Sequence, residues 1–218
     1  MKKIALLILL FVGGGLMAQN TVAFASARGM RIFTKEKEPD TFTGTPYFEK
    51  DFVLGTIHDE QGRSQQALLR YNAVEDVVVV KLDKLEKDSY MLPKLSKITY
   101  ELPGYTYYID QIDTEDGIKE SYFASYFKGN KSQFIGIPKV DIINPQKAAT
   151  GYEKDKPAHI DVEMEYYISI DGGKFKETRL KEKDLEDFFK SDKMEEYFDE
   201  HKIKDEKDVV EMLKFYES

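Results

Sequence analysis

Cysteine and tryptophan are both missing from the 218 residues, and histidine occurs only three times. Without cysteine there can be no disulfide, no thiolate metal ligand, no thiol nucleophile and no thioether to carry a bacterial lipid anchor. Burial alone must therefore hold the fold, and a chain 41% apolar and 13% aromatic can supply it at this length. Long apolar runs are missing too: the longest, around Ile4–Val12, is too short to span a bilayer. Positive charge is in deficit, with 32 Lys and Arg against 40 Asp and Glu, a net of −8. A nucleic-acid partner needs a cationic footprint that displaces counterions from phosphates, so that class is excluded. Adsorption to anionic headgroups is disfavoured for the same reason.

Catalytic signatures are equally scarce. No Gly-x-Ser-x-Gly elbow occurs. Gly172-Gly173 lacks the Lys-Ser/Thr that completes a phosphate loop, and Gly13-Gly14-Gly15 falls in the leader. The expectation is no catalytic residue, no cofactor and no metal site.

What is present begins with Met1-Lys2-Lys3, an apolar Ile4–Val12 and then Gly13-Gly14-Gly15-Leu16-Met17-Ala18-Gln19. A basic start, a short apolar stretch and a small residue before a polar one describe a secretory signal peptide over residues 1–18. Cleavage is expected after Ala18, with Ala25 and Ala27 ending alternative A-x-A sites. The mature protein would then be soluble, periplasmic or extracellular, with a net charge of −10. Residues 19–45 read as a linker with a short strand through Val22, Phe24, Ile32 and Phe33, and Glu36–Asp40 as its exposed part. Residues 46–179 read as an antiparallel β domain and 180–218 as a helical segment packed on it.

The β domain is organised around Ala67-Leu68-Leu69-Arg70-Tyr71-Asn72 and Val77-Val78-Val79-Val80. Branching at Cβ stiffens these valines toward the pleated backbone, and Glu75-Asp76 supply the turn. Phe52–Ile57 precedes this hairpin, across the polar loop Asp59–Arg63. Tyr90-Met91 reads as a short edge strand. Ile98–Leu102 and Tyr105–Ile109 form a hairpin about Pro103-Gly104. Ser121–Phe127 and Gln133–Ile137 add two strands, and Asn144–Pro157 reads as a long loop. Then Ile160, Val162, Met164, Tyr166, Ile168 and Ile170 alternate with polar positions, predicting one face in the core and one in water. From Leu180 the period becomes helical, with Ser191 and Asp205 as candidate N-caps. The class is α+β: an antiparallel β-rich sheet or partly closed barrel followed by three short C-terminal helices.

Gly44-Thr45-Pro46-Tyr47, Leu69-Arg70-Tyr71-Asn72, Glu165-Tyr166-Tyr167 and the acidic helical tail near Phe215-Tyr216 resemble those of exported β-rich proteins from Bacteroidota-type bacteria. The resemblance implies an exported β-rich fold and no particular activity.

Two constellations carry possible chemistry. His159, Asp161, Glu163 and Glu165 alternate along one strand, which puts an imidazole and three carboxylates on one face about 7 Å apart. Such a row could bind a divalent cation or hold an acid–base pair; a solvated outer face has the same pattern and is preferred. His58 and His201 sit among charges in a loop and a helix and read as surface. Tyr105, Tyr107, Tyr122 and Tyr126 cluster on neighbouring strands, where aromatic rings line ligand surfaces or fill a core, and core filling is preferred. The function these readings favour is a non-enzymatic binding or interaction module of the bacterial envelope, its partner an envelope protein or a small apolar ligand. The alternatives are a carrier holding an apolar ligand between sheet and C-terminal helices and a carboxylate-dependent hydrolase on the Asp161–Glu165 strand.

Overall fold

The structure is a computed structural model describing residues 34–35, 42–148, 150 and 155–218. The expected leader peptide, the strand drawn through Val22, Phe24, Ile32 and Phe33, and linker residues 36–40 lie outside the described residues. Twelve strands form one sheet: β1 (Thr34–Lys35), β2 (Phe42–Gly44), β3 (Val53–His58), β4 (Ser64–Asn72), β5 (Val77–Lys81), β6 (Tyr90–Met91), β7 (Thr99–Leu102), β8 (Tyr105–Thr114), β9 (Gly117–Lys128), β10 (Ser132–Ile143), β11 (Ala158–Ile170) and β12 (Lys176–Thr178). Helices α1 (Glu182–Glu186), α2 (Asp192–Glu200) and α3 (Glu206–Glu217) follow. The order across the sheet is β1-β6-β5-β4-β3-β7-β8-β9-β10-β11-β12, with β2 on β11, and the sheet curls into a half-barrel. This is the α+β class expected.

Most neighbours are hairpins, so local turn chemistry sets the register. Asn72 faces Val77, and the turn between them ends at Asp76 with φ 50°. Leu102 faces Tyr105 across Pro103-Gly104, where Gly104 takes φ 100°. Strands β3 and β7, and β1 and β6, pair antiparallel across longer connections; β2 lies parallel against the start of β11, with Gly44 beside Ile160. A Cβ on Gly44 would come within 1.9 Å of the Ile160 carbonyl oxygen, so only glycine fits there.

The concave side of the half-barrel is filled. Leu69, Tyr71, Val78, Val80, Tyr100, Tyr107 and Tyr122 are buried there, the tyrosine rings interleaved rather than leaving a lumen. A second core forms where the helices meet β10 and β11: Phe134 and Ile168 pack against Leu185, Met194, Phe198, Val209, Met212 and Leu213. Ser191 caps α2 by accepting the Met194 N–H, and Asp205 forms a capping box with Asp208 at α3. Tyr126 packs against both cores and marks their seam.

Three expectations are corrected. Strand β10 does not stop at Ile137 but runs through Pro138 to Ile143. Strand β9 pairs with it only as far as Gly136, so the missing N–H of Pro138 faces a side with no strand to accept from. Strand β11 is not polar along its whole outer face: Tyr167 is 0% exposed and Ser169 4%. Past Gly136 the β8–β9 and β10–β11 hairpins splay apart, and Ile112, Phe123, Ile135 and Tyr167 make a small third core on the convex side, flanked by Phe175. Strand β6, expected at an edge, has β1 outside it.

Candidate functional site: an aromatic cleft between the sheet and α3

The site is built from a short strap that precedes β3. Strand β3 pairs with β4 only from Val53 onward, so the β4 backbone beyond Leu69 needs another neighbour on that side. Residues 45–51 provide it. The Phe48 N–H donates to the Tyr71 carbonyl at 3.1 Å, and the Ala73 N–H to the Pro46 carbonyl at 2.8 Å. Glu49 completes the substitution with its side chain: one carboxylate oxygen accepts the Tyr71 N–H at 2.7 Å. Its other oxygen accepts the Tyr107 hydroxyl at 2.9 Å and the Tyr105 hydroxyl in a shorter contact. Glu49 is 8% exposed, a carboxylate held inside by neutral donors.

Past the strap, Phe48 and Tyr105 stand edge to face with ring centroids 6.5 Å apart, and Tyr105 lies 5.3 Å from Tyr126. These rings floor a cleft of about 390 Å³ whose other wall is α3, with the Pro103-Gly104 turn at one end. From α3 come Glu206, Lys207, Val210, Glu211 and Lys214, the stripe beside its buried Val209, Met212 and Leu213. Glu206 accepts the Tyr166 hydroxyl, and Glu211 pairs with Lys214 at 2.8 Å. Burial raises the Tyr105 phenol well above its ordinary range, and the Glu49 carboxylate adds to it. Tyr126 is raised by burial first, then by Tyr166 and the Glu206 carboxylate. The tyrosines at this seam are neutral hydrogen-bond donors at any physiological pH.

Both polar ends of α3 are fastened to the sheet. Beyond the Glu206–Tyr166 contact, Glu217 reaches into the β9–β10 turn. Its carboxylate accepts the N–H groups of Asn130, Lys131 and Ser132 at 2.9, 3.1 and 2.9 Å and the Ser132 hydroxyl at 2.7 Å. The Ser132 hydrogen bond leads in lowering the Glu217 carboxyl to about 2. A Cβ on Gly129 would fall 2.0 Å from that carboxylate, so glycine keeps the approach open.

Of the tyrosines named from the sequence, Tyr105 and Tyr126 line the cleft, whereas Tyr107 and Tyr122 are 0% exposed. Those two are not surface: they point into the concave side, where curling of the sheet covers them. Burial pushes Tyr122 up to about 12. The hydroxyls of Tyr100 and Tyr122 are buried with no hydrogen-bond partner of good geometry among the described residues.

The row on β11 lies elsewhere, on the outer face and away from the cleft. His159 Nδ1 is 2.9 Å from the Thr43 hydroxyl, and Asp161 accepts the Val162 N–H at 3.0 Å. Glu163 stands across from Lys139 and Asp161 across from Asp141. Glu165 is the most engaged: it pairs with Lys139 and accepts the Tyr167 hydroxyl at 3.3 Å, while Lys119 reaches the same hydroxyl. No group of three or more His, Cys, Asp or Glu among the described residues is arranged to hold a metal ion. His58 pairs with Glu101 at 2.9 Å, both well exposed, and His201 stacks on Tyr197 one helical turn away.

Glu49, Phe48 and the α3 stripe escaped the sequence reading. A single Glu after Pro46-Tyr47-Phe48 carries no local signal of burial, since its partners are 22 to 58 residues away. The fold and cleft define a β-rich half-barrel with an open, aromatic-floored pocket at its helix seam. No helix among the described residues is long and apolar enough to cross a membrane. No protein-family model, curated protein or solved structure matches the chain.

Proposed function

We propose that this protein is a non-enzymatic binding module of the bacterial envelope, exported by its N-terminal leader, which seats a small ring-sized ligand in the cleft between the sheet and α3. The observation that carries the reading is the floor of the cleft: Phe48, Tyr105 and Tyr126 present ring surface to a space of about 390 Å³. That volume lies in the range of small-molecule sites, and the lining joins apolar ring surface to four charged side chains from α3. Glu49 fixes the Tyr105 hydroxyl of the floor and Glu206 ties α3 to Tyr166 on the sheet, so the two walls are pre-organised and cost little to order on binding. The rest of the concave side is packed with side chains, which favours a shallow seat over the enclosed chamber of a lipid carrier.

Native mass spectrometry of the protein recovered from its own host tests this. The expected spectrum carries a stoichiometric small-molecule adduct that Val210→Trp, which fills the cleft from α3, abolishes. A bare monomer, or an adduct that survives Val210→Trp, would refute the proposal.

A further inference from the structure

Cations cover aromatic faces throughout this fold. Arg70 lies 3.4 Å over the Tyr47 ring and 4.3 Å over Phe52; Lys119, Lys176 and Lys193 lie 4.7, 5.4 and 4.6 Å over Tyr167, Phe188 and Phe215. No described lysine or arginine sits over Phe48, Tyr105 or Tyr126, the rings that floor the cleft. Two carboxylates and two lysines of α3 border those rings, and a third carboxylate lies behind them. Glu49 takes the Tyr105 hydroxyl from behind, and Glu206 and Glu211 border the opening from α3. A phenol donating to a carboxylate carries more electron density on its ring, which strengthens attraction for a cation over its face.

We infer that the ligand of this cleft is an organic cation, an alkylammonium or quaternary ammonium group held over Phe48, Tyr105 and Tyr126 and neutralised by Glu206 and Glu211. The inference rests on the cleft being a binding site and names the chemistry it accepts. The net charge of −8 draws cations toward the surface. Two lysines also border the space. Lys214 is held by Glu211 at 2.8 Å with both side chains more than half exposed, a pair of the weak, salt-screened kind. Lys214 is therefore the cation a ligand displaces, and Lys207 stands at the exposed rim. The ammonium group can come from a free small molecule or from a methylated lysine on a partner protein.

The test is calorimetric titration of the full chain with choline, with its uncharged carbon analogue 3,3-dimethyl-1-butanol, with benzoate, and with a short peptide carrying trimethyl-lysine. Choline or the peptide should bind at least tenfold tighter than the uncharged analogue, and whichever binds tighter identifies the source. Phe48→Leu keeps an apolar side chain at the half-buried position but removes the ring. It should weaken the cation about threefold to tenfold while leaving the uncharged analogue unchanged. Lys214→Gln should tighten the cation, because it frees Glu211. Equal affinity for the charged and uncharged analogues, or preference for benzoate, would overturn the cation inference and leave the binding module standing. No binding by any of the four, with the urea midpoint intact, would overturn both.

Discussion

Replacing Glu49 with leucine removes the side chain that stands in for a missing strand, and the structure sets the size of the loss. The Tyr71 N–H loses its acceptor inside the protein, and the Tyr105 and Tyr107 hydroxyls lose theirs. Hydrogen bonds to a charged group contribute about 1.5–3 kcal/mol each, and a buried donor left unpaired costs about 1–3 kcal/mol. The three share one acceptor and do not add. Leucine also recovers apolar burial and spares the desolvation of a carboxylate, so the net loss should be about 3–5 kcal/mol. Urea unfolding followed by far-UV circular dichroism is the assay. With a slope of about 2–3 kcal/mol/M, the midpoint should fall by about 1–2 M at constant slope. Tyr107→Phe alone should cost about 1–3 kcal/mol. The double variant should cost about 1 kcal/mol less than the sum, since each change removes the same bond. A Glu49→Leu midpoint indistinguishable from the parent would refute the idea that the strap closes β4 through this carboxylate.

Other outcomes follow from the same contacts. Tyr100→Phe and Tyr122→Phe remove hydroxyls that are buried and face each other without good hydrogen-bond geometry, so each should change stability by less than about 1 kcal/mol, in contrast to Tyr107→Phe. Glu217→Gln should cost about 1 kcal/mol at neutral pH, kept small by solvent screening. Because the folded carboxyl is lowered to about 2 from an ordinary 4.5, its contribution is present above pH 4.5 and lost as pH falls toward 2. The gap between parent and Glu217→Gln should close over that window, and a gap independent of pH would show the carboxylate is not the fastener. Asp161→Asn with Glu163→Gln should stay within about ±0.5 kcal/mol by thermal unfolding, since both project from an open strand face.

The pieces legible in the sequence are those whose causes are local. The β4–β5 hairpin follows from valines flanking a turn, the β7–β8 hairpin from Pro103-Gly104, and the helix starts from Ser191 and Asp205. Each depends on residues within a few positions of one another. The errors share a different cause. Pro138 signals the end of a strand unless it is known that β9 has already turned away. Tyr167 and Ser169 sit at polar positions of an alternating pattern, and only the splay of two hairpins buries them. At the cleft, Tyr105 and Tyr126 could be named from strand spacing. Their companions Phe48, Glu206 and Val210 come from a strap and a helix that only the tertiary fold brings alongside.

The strap also orders events in time. The β3–β4, β4–β5, β7–β8, β8–β9 and β9–β10 pairings join neighbours in the chain and close short loops. Residues 42–49 instead fasten to surfaces that exist only once those hairpins have assembled: β2 to β11, with Thr43 and His159 116 residues apart, and Glu49 to β4 and β8. Closing so long a loop costs entropy before any contact rewards it, which places the strap late in folding and first to let go. In stopped-flow experiments Glu49→Leu should therefore hasten unfolding and leave the refolding rate nearly untouched. The buried carboxylate acts as the protein's final clasp, setting how long the native state lasts more than how quickly it is reached.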